Sequence, residues 1–204
     1  MKETMKKILI PFLILFMQCS TTSDTELSAE ERNFAINELN SSKDNLLSVL
    51  DGLSEAQLNY KSSESSWSIA QCTEHITIFE NEVFEILEES LELPANPERR
   101  EGVKNTDKEL MALIIDRTNN KTETQEDYEP NGKYGNHNST IIEFEAKRKK
   151  HMSYIKTTTD DLRNHFMSFG AIDAYQIFLY MSAHTERHIM QINEVKNNDN
   201  FPKN

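Results

Sequence analysis

The chain has 204 residues, 37% apolar and 27% charged, a length and balance that suit one domain with a buried core. Five Gly and five Pro are too few turn residues for a sandwich or barrel of repeated hairpins, and favour long helices. A formal charge of −12 repels phosphate backbones and argues against nucleic acid as a partner, and neither G-x-G-x-x-G nor G-x-x-x-x-G-K-[ST] occurs.

The N-terminus reads as a separate object. Lys2, Lys6 and Lys7 precede an unbroken apolar run over residues 8–17. Ten helical residues rise only ~15 Å, half of a ~30 Å hydrocarbon core, so the run is too short to span a bilayer. A basic start and a short apolar run mark residues 1–18 as a cleaved signal peptide. Cys19 follows, then Ser20-Thr21-Thr22-Ser23, an order similar to a bacterial lipoprotein signal. That likeness implies lipidation at Cys19, export and an anchor in the cell envelope, with membrane contact through the lipid only. Ordinary cleavage nearby, with Cys19 discarded, is the alternative. Loss of residues 1–18 removes three Lys and one Glu and leaves a charge of −14. Cys72 is then the one thiol in the folded part and has no partner for an internal disulfide.

Residues 19–27 read as a polar tether and 28–204 as the bundle domain. Ser28 and Glu31 form a capping box that opens a helix to about Leu50, ended by Asp51-Gly52. A short helical turn is predicted at Glu55–Asn59. Ser66 or Ser68 then caps a second long helix to about Leu91, whose inner stripe reads Ile69, Cys72, His75/Ile76, Phe79, Val83, Ile86/Leu87. Residues 98–106 read as loop, Asp107 to Thr118 as a shorter helix, and 119–138 as a long loop of the kind that is usually functional or mobile. Ser139 is expected to cap a helix to about Thr159, with Ile141/Ile142, Phe144, Met152 and Ile155 inward. Gly170 marks a break before a last helix over Ala171–Lys196. No strand pattern appears, and the elements predict an all-α bundle.

The last helix carries His184-Thr185-Glu186-Arg187-His188. Positions i and i+4 lie one turn apart on one face, within reach of one ion. Thr185 breaks the H-E-x-x-H pattern of zinc proteases, and Glu186 falls on another face from His184. His75 interrupts the apolar stripe of a different helix. Burying three imidazoles without a partner is costly, and a shared cation removes that cost while using the neutral form that burial favours. Cys72, one turn before His75, reads as a small buried hydrophobe or a fourth soft ligand. Gln191 and Glu74 read as groups that orient a ligand imidazole or as solvated ones. Trp67 reads as end-cap packing, His137, His151 and His165 as surface residues, and Lys147-Arg148-Lys149-Lys150 as a solvated face.

Ser66-Trp67-Ser68-Ile69 with Glu74-His75, then Tyr175-Gln176, then His184-x-x-Arg187-His188-x-x-Gln191-Ile192, resembles the DinB/YfiT-like superfamily from about residue 30 to the C-terminus. The resemblance implies an antiparallel four-helix bundle with long inter-helix loops and a divalent metal, zinc or nickel, on His75, His184 and His188. Such a site suggests a metal-dependent hydrolase acting on a small molecule, with metal-activated water and a nearby carboxylate as base. The alternatives are a thiol S-transferase that activates a low-molecular-weight thiol, and a non-catalytic metal- or ligand-binding envelope protein.

Overall fold

The computed structural model describes residues 25–119 and 123–203. The expected signal peptide and the expected lipidation site at Cys19 lie outside the described residues. Four long helices, α1 (Ala29–Leu50), α3 (Ile69–Leu91), α5 (His137–Thr157) and α6 (Gln176–Lys196), form the bundle, with the short α2 (Glu55–Leu58) and α4 (Asp107–Ile115) in the connections. No helix among the described residues is long and apolar enough to cross a membrane.

Local chemistry explains most boundaries. Ser28, Ser54, Ser68 and Thr106 each head a helix with a reciprocal capping box, so Ser68 rather than Ser66 starts α3. The predicted ends are corrected in three places. α4 stops at Ile115, because the Asp116 carboxylate takes the amides of Thr118 and Asn119 (2.8 and 3.0 Å) and folds the chain into a turn. α5 is capped by Asn136, which accepts from the Ser139 amide at 2.9 Å, so Ser139 lies inside the helix. α6 starts at Gln176, five residues later than expected. The chain before it turns at Gly170 (φ +65°) and pairs Phe166 with Asp173, whose carboxylate receives the Gln176 amide at 2.8 Å. The loops at 98–106 and 119–138 also contain 3-10 turns, Pro97–Gly102 and Glu126–Tyr128. Leu27, assigned to the tether, is buried in the core, and Ile142 is 68% exposed rather than inward.

The antiparallel expectation holds for two neighbouring pairs. Arg32 reaches the Ile155 carbonyl and Arg148 the Leu39 carbonyl, which sets α1 antiparallel to α5. His75 meets His188 while Phe84 meets Phe178, which sets α3 antiparallel to α6. The other two neighbouring pairs run parallel. α1 follows α6 through Ser182 to Glu38, Asn45 to Glu186 and Lys196 to Val49. α3 follows α5 through Arg148 to Glu80 and Phe84 to Tyr154. The cause is the long connection after α3. Within it α4 packs along α6, from Asp107 beside Gln176 to Arg117 beside Gln191, and so returns the chain to the end where α3 began. A crossover of this kind is a known alternative to the simple up-and-down bundle.

Each long helix contributes one polar side chain to a closed layer: Ser42, Glu80, Arg148 and Thr185. This layer divides the core into two apolar clusters, one holding Leu39, Val83, Ile155 and Met181, the other Leu46, Ile76, Phe144 and Ile189. Arg148 donates to Glu80, the Leu39 carbonyl, Ser42 and Thr185. The basic run is therefore not a solvated face throughout, because its second residue is fully buried. His151 follows it inward, stacked on Phe84 at 4.3 Å, and is not a surface residue.

Candidate metal centre

His75 projects from α3, and His184 and His188 from successive turns of α6. The antiparallel packing of these helices turns all three rings toward one another. The Nε2 of His184 lies 3.3 Å from that of His75 and 3.1 Å from that of His188. Among the described residues these three form the one His/Cys/Asp/Glu group close enough to hold an ion, with ligand atoms within 4.8 Å of one another.

The hydrogen bonds fix two tautomers. His75 donates from Nδ1 to the Tyr128 carbonyl at 2.7 Å. A carbonyl only accepts, so the His75 Nε2 carries a lone pair. His188 donates from Nδ1 to the Gln191 Oε1 at 2.9 Å, which leaves its Nε2 in the same state. Both lone pairs face the Nε2 of His184, and a proton there serves only one of them. The His184 Nδ1 is buried without a partner. Burial holds all three imidazoles below their usual pKa, and the mutual proximity of His184 to its two neighbours lowers it further. Three neutral nitrogen donors, their lone pairs converging, fit a borderline divalent cation.

The rings stand at the floor of a cleft of about 540 Å³. Trp67 is not simply end-cap packing, since its ring lies 4.8 Å from His75 and stacks near His188 at 6.3 Å. Phe79 stacks on His184 at 3.9 Å. Tyr128, Phe169 and Tyr180 complete the aromatic walls, and Arg117, Glu123 and Arg187 line the cleft as well. Arg187 donates to the Ile114 and Asp116 carbonyls and so binds the end of α4 to α6.

The other sequence candidates divide. Gln191 follows the first of its two readings, accepting from the His188 Nδ1. Glu74 does not orient a ligand: it lines a second cleft with His137, and its Oε1 has no partner there. Cys72 is a buried member of the apolar core, its thiol pushed up to about 12 by burial, and it is not in the histidine group. Glu186 accepts from Asn45 on α1, away from the site. His137 and His165 are half-buried. Sequence reasoning missed Tyr128 and Arg117 and read Phe79 only as part of the apolar stripe. Tyr128 acts through its backbone carbonyl, which carries no residue-type signal, while Phe79, one turn after His75, was legible as its neighbour.

Residues 38–192 match the family model of the DinB superfamily. No curated protein matches the chain. The chain is similar in fold to YfiT from Bacillus subtilis, described as "a probable metal-dependent hydrolase with an unusual four-helix bundle topology". The TM-score is 0.56 at 14% identity over 83% of this chain and 88% of that one.

Proposed function

The chain belongs to the DinB superfamily, and from that premise we propose that it is a metal-dependent hydrolase whose ion is held by His75, His184 and His188. The observation that carries this reading is the convergence of three Nε2 atoms on the cleft floor, with two Nδ1–H groups already committed to acceptors. Zinc or nickel suits such a set of neutral imidazoles. Bound there, the ion supplies Lewis acidity toward a water or a substrate oxygen. The description of YfiT as "a probable metal-dependent hydrolase" supports the same direction.

The chain's own residues provide the rest. Trp67, Phe79, Tyr128, Phe169 and Tyr180 give apolar walls that hold a small organic molecule and keep water out. Glu123 is the one carboxylate among the described lining residues, and we assign it the proton released by the nucleophile. The test is metal analysis of the purified protein beside His184→Ala, followed by a screen of esters, amides and phosphate esters. One ion per chain, absent from the variant, and hydrolysis that chelation abolishes are expected. An unchanged metal content in His184→Ala overturns the site. Thiol-dependent consumption of an electrophile without hydrolysis replaces the hydrolase with a thiol transferase.

Export and lipidation at Cys19 rest on residues 1–23 alone, and we propose them on that basis. Radiolabelled fatty acid should enter the wild-type chain, and incorporation that survives Cys19→Ala sinks the anchor.

A further inference from the structure

The Gln191 side chain has two faces of nearly equal shape, a carbonyl that accepts and an amide that donates. Only the carbonyl serves His188, because a ring that offers its Nε2 lone pair to the cleft must donate from Nδ1. A flipped amide would set N–H against N–H, or would favour the other tautomer and put a proton on the Nε2 that faces His184.

Arg117 decides between the two faces. A guanidinium only donates, and its Nη1 lies 3.3 Å from the Gln191 Oε1, the same atom that receives the His188 Nδ1–H at 2.9 Å. Its own direction is fixed by a two-point contact with Glu194, Nε to Oε1 at 3.2 Å and Nη2 to Oε2 at 3.1 Å. Arg117 reaches this place because α4 runs alongside α6 and ends at Ile115, two residues before it.

We propose that Arg117 is a positioning residue for the metal centre: by pinning the Gln191 carbonyl, it holds His188 in the tautomer that presents Nε2 to the ion. The inference rests on the reading of His75, His184 and His188 as ligands. It adds that the turn after α4, which contributes no ligand, tunes the affinity of the site. Removal of a partner that orients a ligand histidine typically weakens metal binding about 10- to 100-fold.

The experiment is a zinc titration of the full chain against a chromophoric chelator. Arg117→Met should weaken binding about 10-fold or more, while Arg117→Lys, which keeps a donor, should bind close to wild type. Gln191→Glu offers oxygen on both sides and needs no pinning, so Arg117→Met should cause little further loss in that background. In the metal-free protein, imidazole 15N shifts should report one His188 tautomer in wild type and a mixture in Arg117→Met. Wild-type zinc affinity in Arg117→Met, or an equal loss in the Gln191→Glu background, overturns the inference while leaving the three-histidine site standing. A wild-type chain that takes up no zinc overturns both.

Discussion

The Arg148 guanidinium lies against the Glu80 carboxylate at the centre of the bundle, Nε to Oε2 at 3.0 Å, with both side chains closed to solvent. Thr185, next to the candidate ligand His184, bonds to both of them. This ion pair therefore fixes the height of α6 against α3 and α5, at the level where the imidazoles must meet. Removing one partner leaves the other charge buried and uncompensated, so Arg148→Met or Glu80→Gln should lower the unfolding free energy by about 3–5 kcal/mol. Urea denaturation reads it directly. The double variant should lose less than the two single losses added together.

Acid should destabilise the protein through His151. Burial, with Arg148 close by, pushes this imidazole down to about 3, whereas in the unfolded chain it titrates near 6.5. Between those values the unfolded state binds a proton that the folded state refuses, so stability falls as pH drops below about 6.5. The loss for this one group reaches about 2 kcal/mol at pH 5. His151→Leu should show a shallower decline between pH 7 and pH 5, and an unchanged slope would contradict the assignment.

Cys72 should be inert toward alkylation at pH 8, since its thiol is fully buried and pushed up to about 12. Mass mapping after iodoacetamide should find residue 72 unmodified until denaturant is added. Cys72→Ala should leave the metal content unchanged, because the thiol stands outside the histidine group.

Trp67 is the single tryptophan of the chain and lies 4.8 Å from His75. Its fluorescence therefore reports on the centre. Titration with nickel or cobalt should quench it strongly and zinc far less, with saturation near one equivalent. Quenching that persists in His184→Ala would place the ion elsewhere.

Glu123→Gln should lower turnover about 10²- to 10⁴-fold, the usual contribution of a proton-transferring side chain, without changing metal stoichiometry. Loss of bound metal in this variant would make Glu123 a ligand instead.

The helices and the i, i+4 pair were legible in the sequence because each is a local property. Ser28, Ser68 and Thr106 satisfy amides three residues ahead of them, and a turn of helix sets His184 beside His188 wherever that helix goes. The apolar stripe placed His75 inward for the same reason. Other features depended on partners distant in the chain. Lys147-Arg148-Lys149-Lys150 reads as solvated from composition, yet Arg148 is buried because Glu80, Ser42 and Thr185 come from three other helices to meet it. The Tyr128 carbonyl reaches His75, and the Arg117 guanidinium reaches Gln191, from the long connection, whose path no periodicity records.

By itself the sequence determined where the long helices lie, which way the stripe carrying His75 faces and which three imidazoles were candidates to share an ion, since hydrogen bonds and side-chain period act over a few residues. Only the tertiary structure decided that α1 and α6 run side by side in one direction, that a buried ion pair crosses the core, and which groups hold two of the rings. Those outcomes depend on burial and pairing between residues far apart in the chain, and burial exists only once the helices have packed.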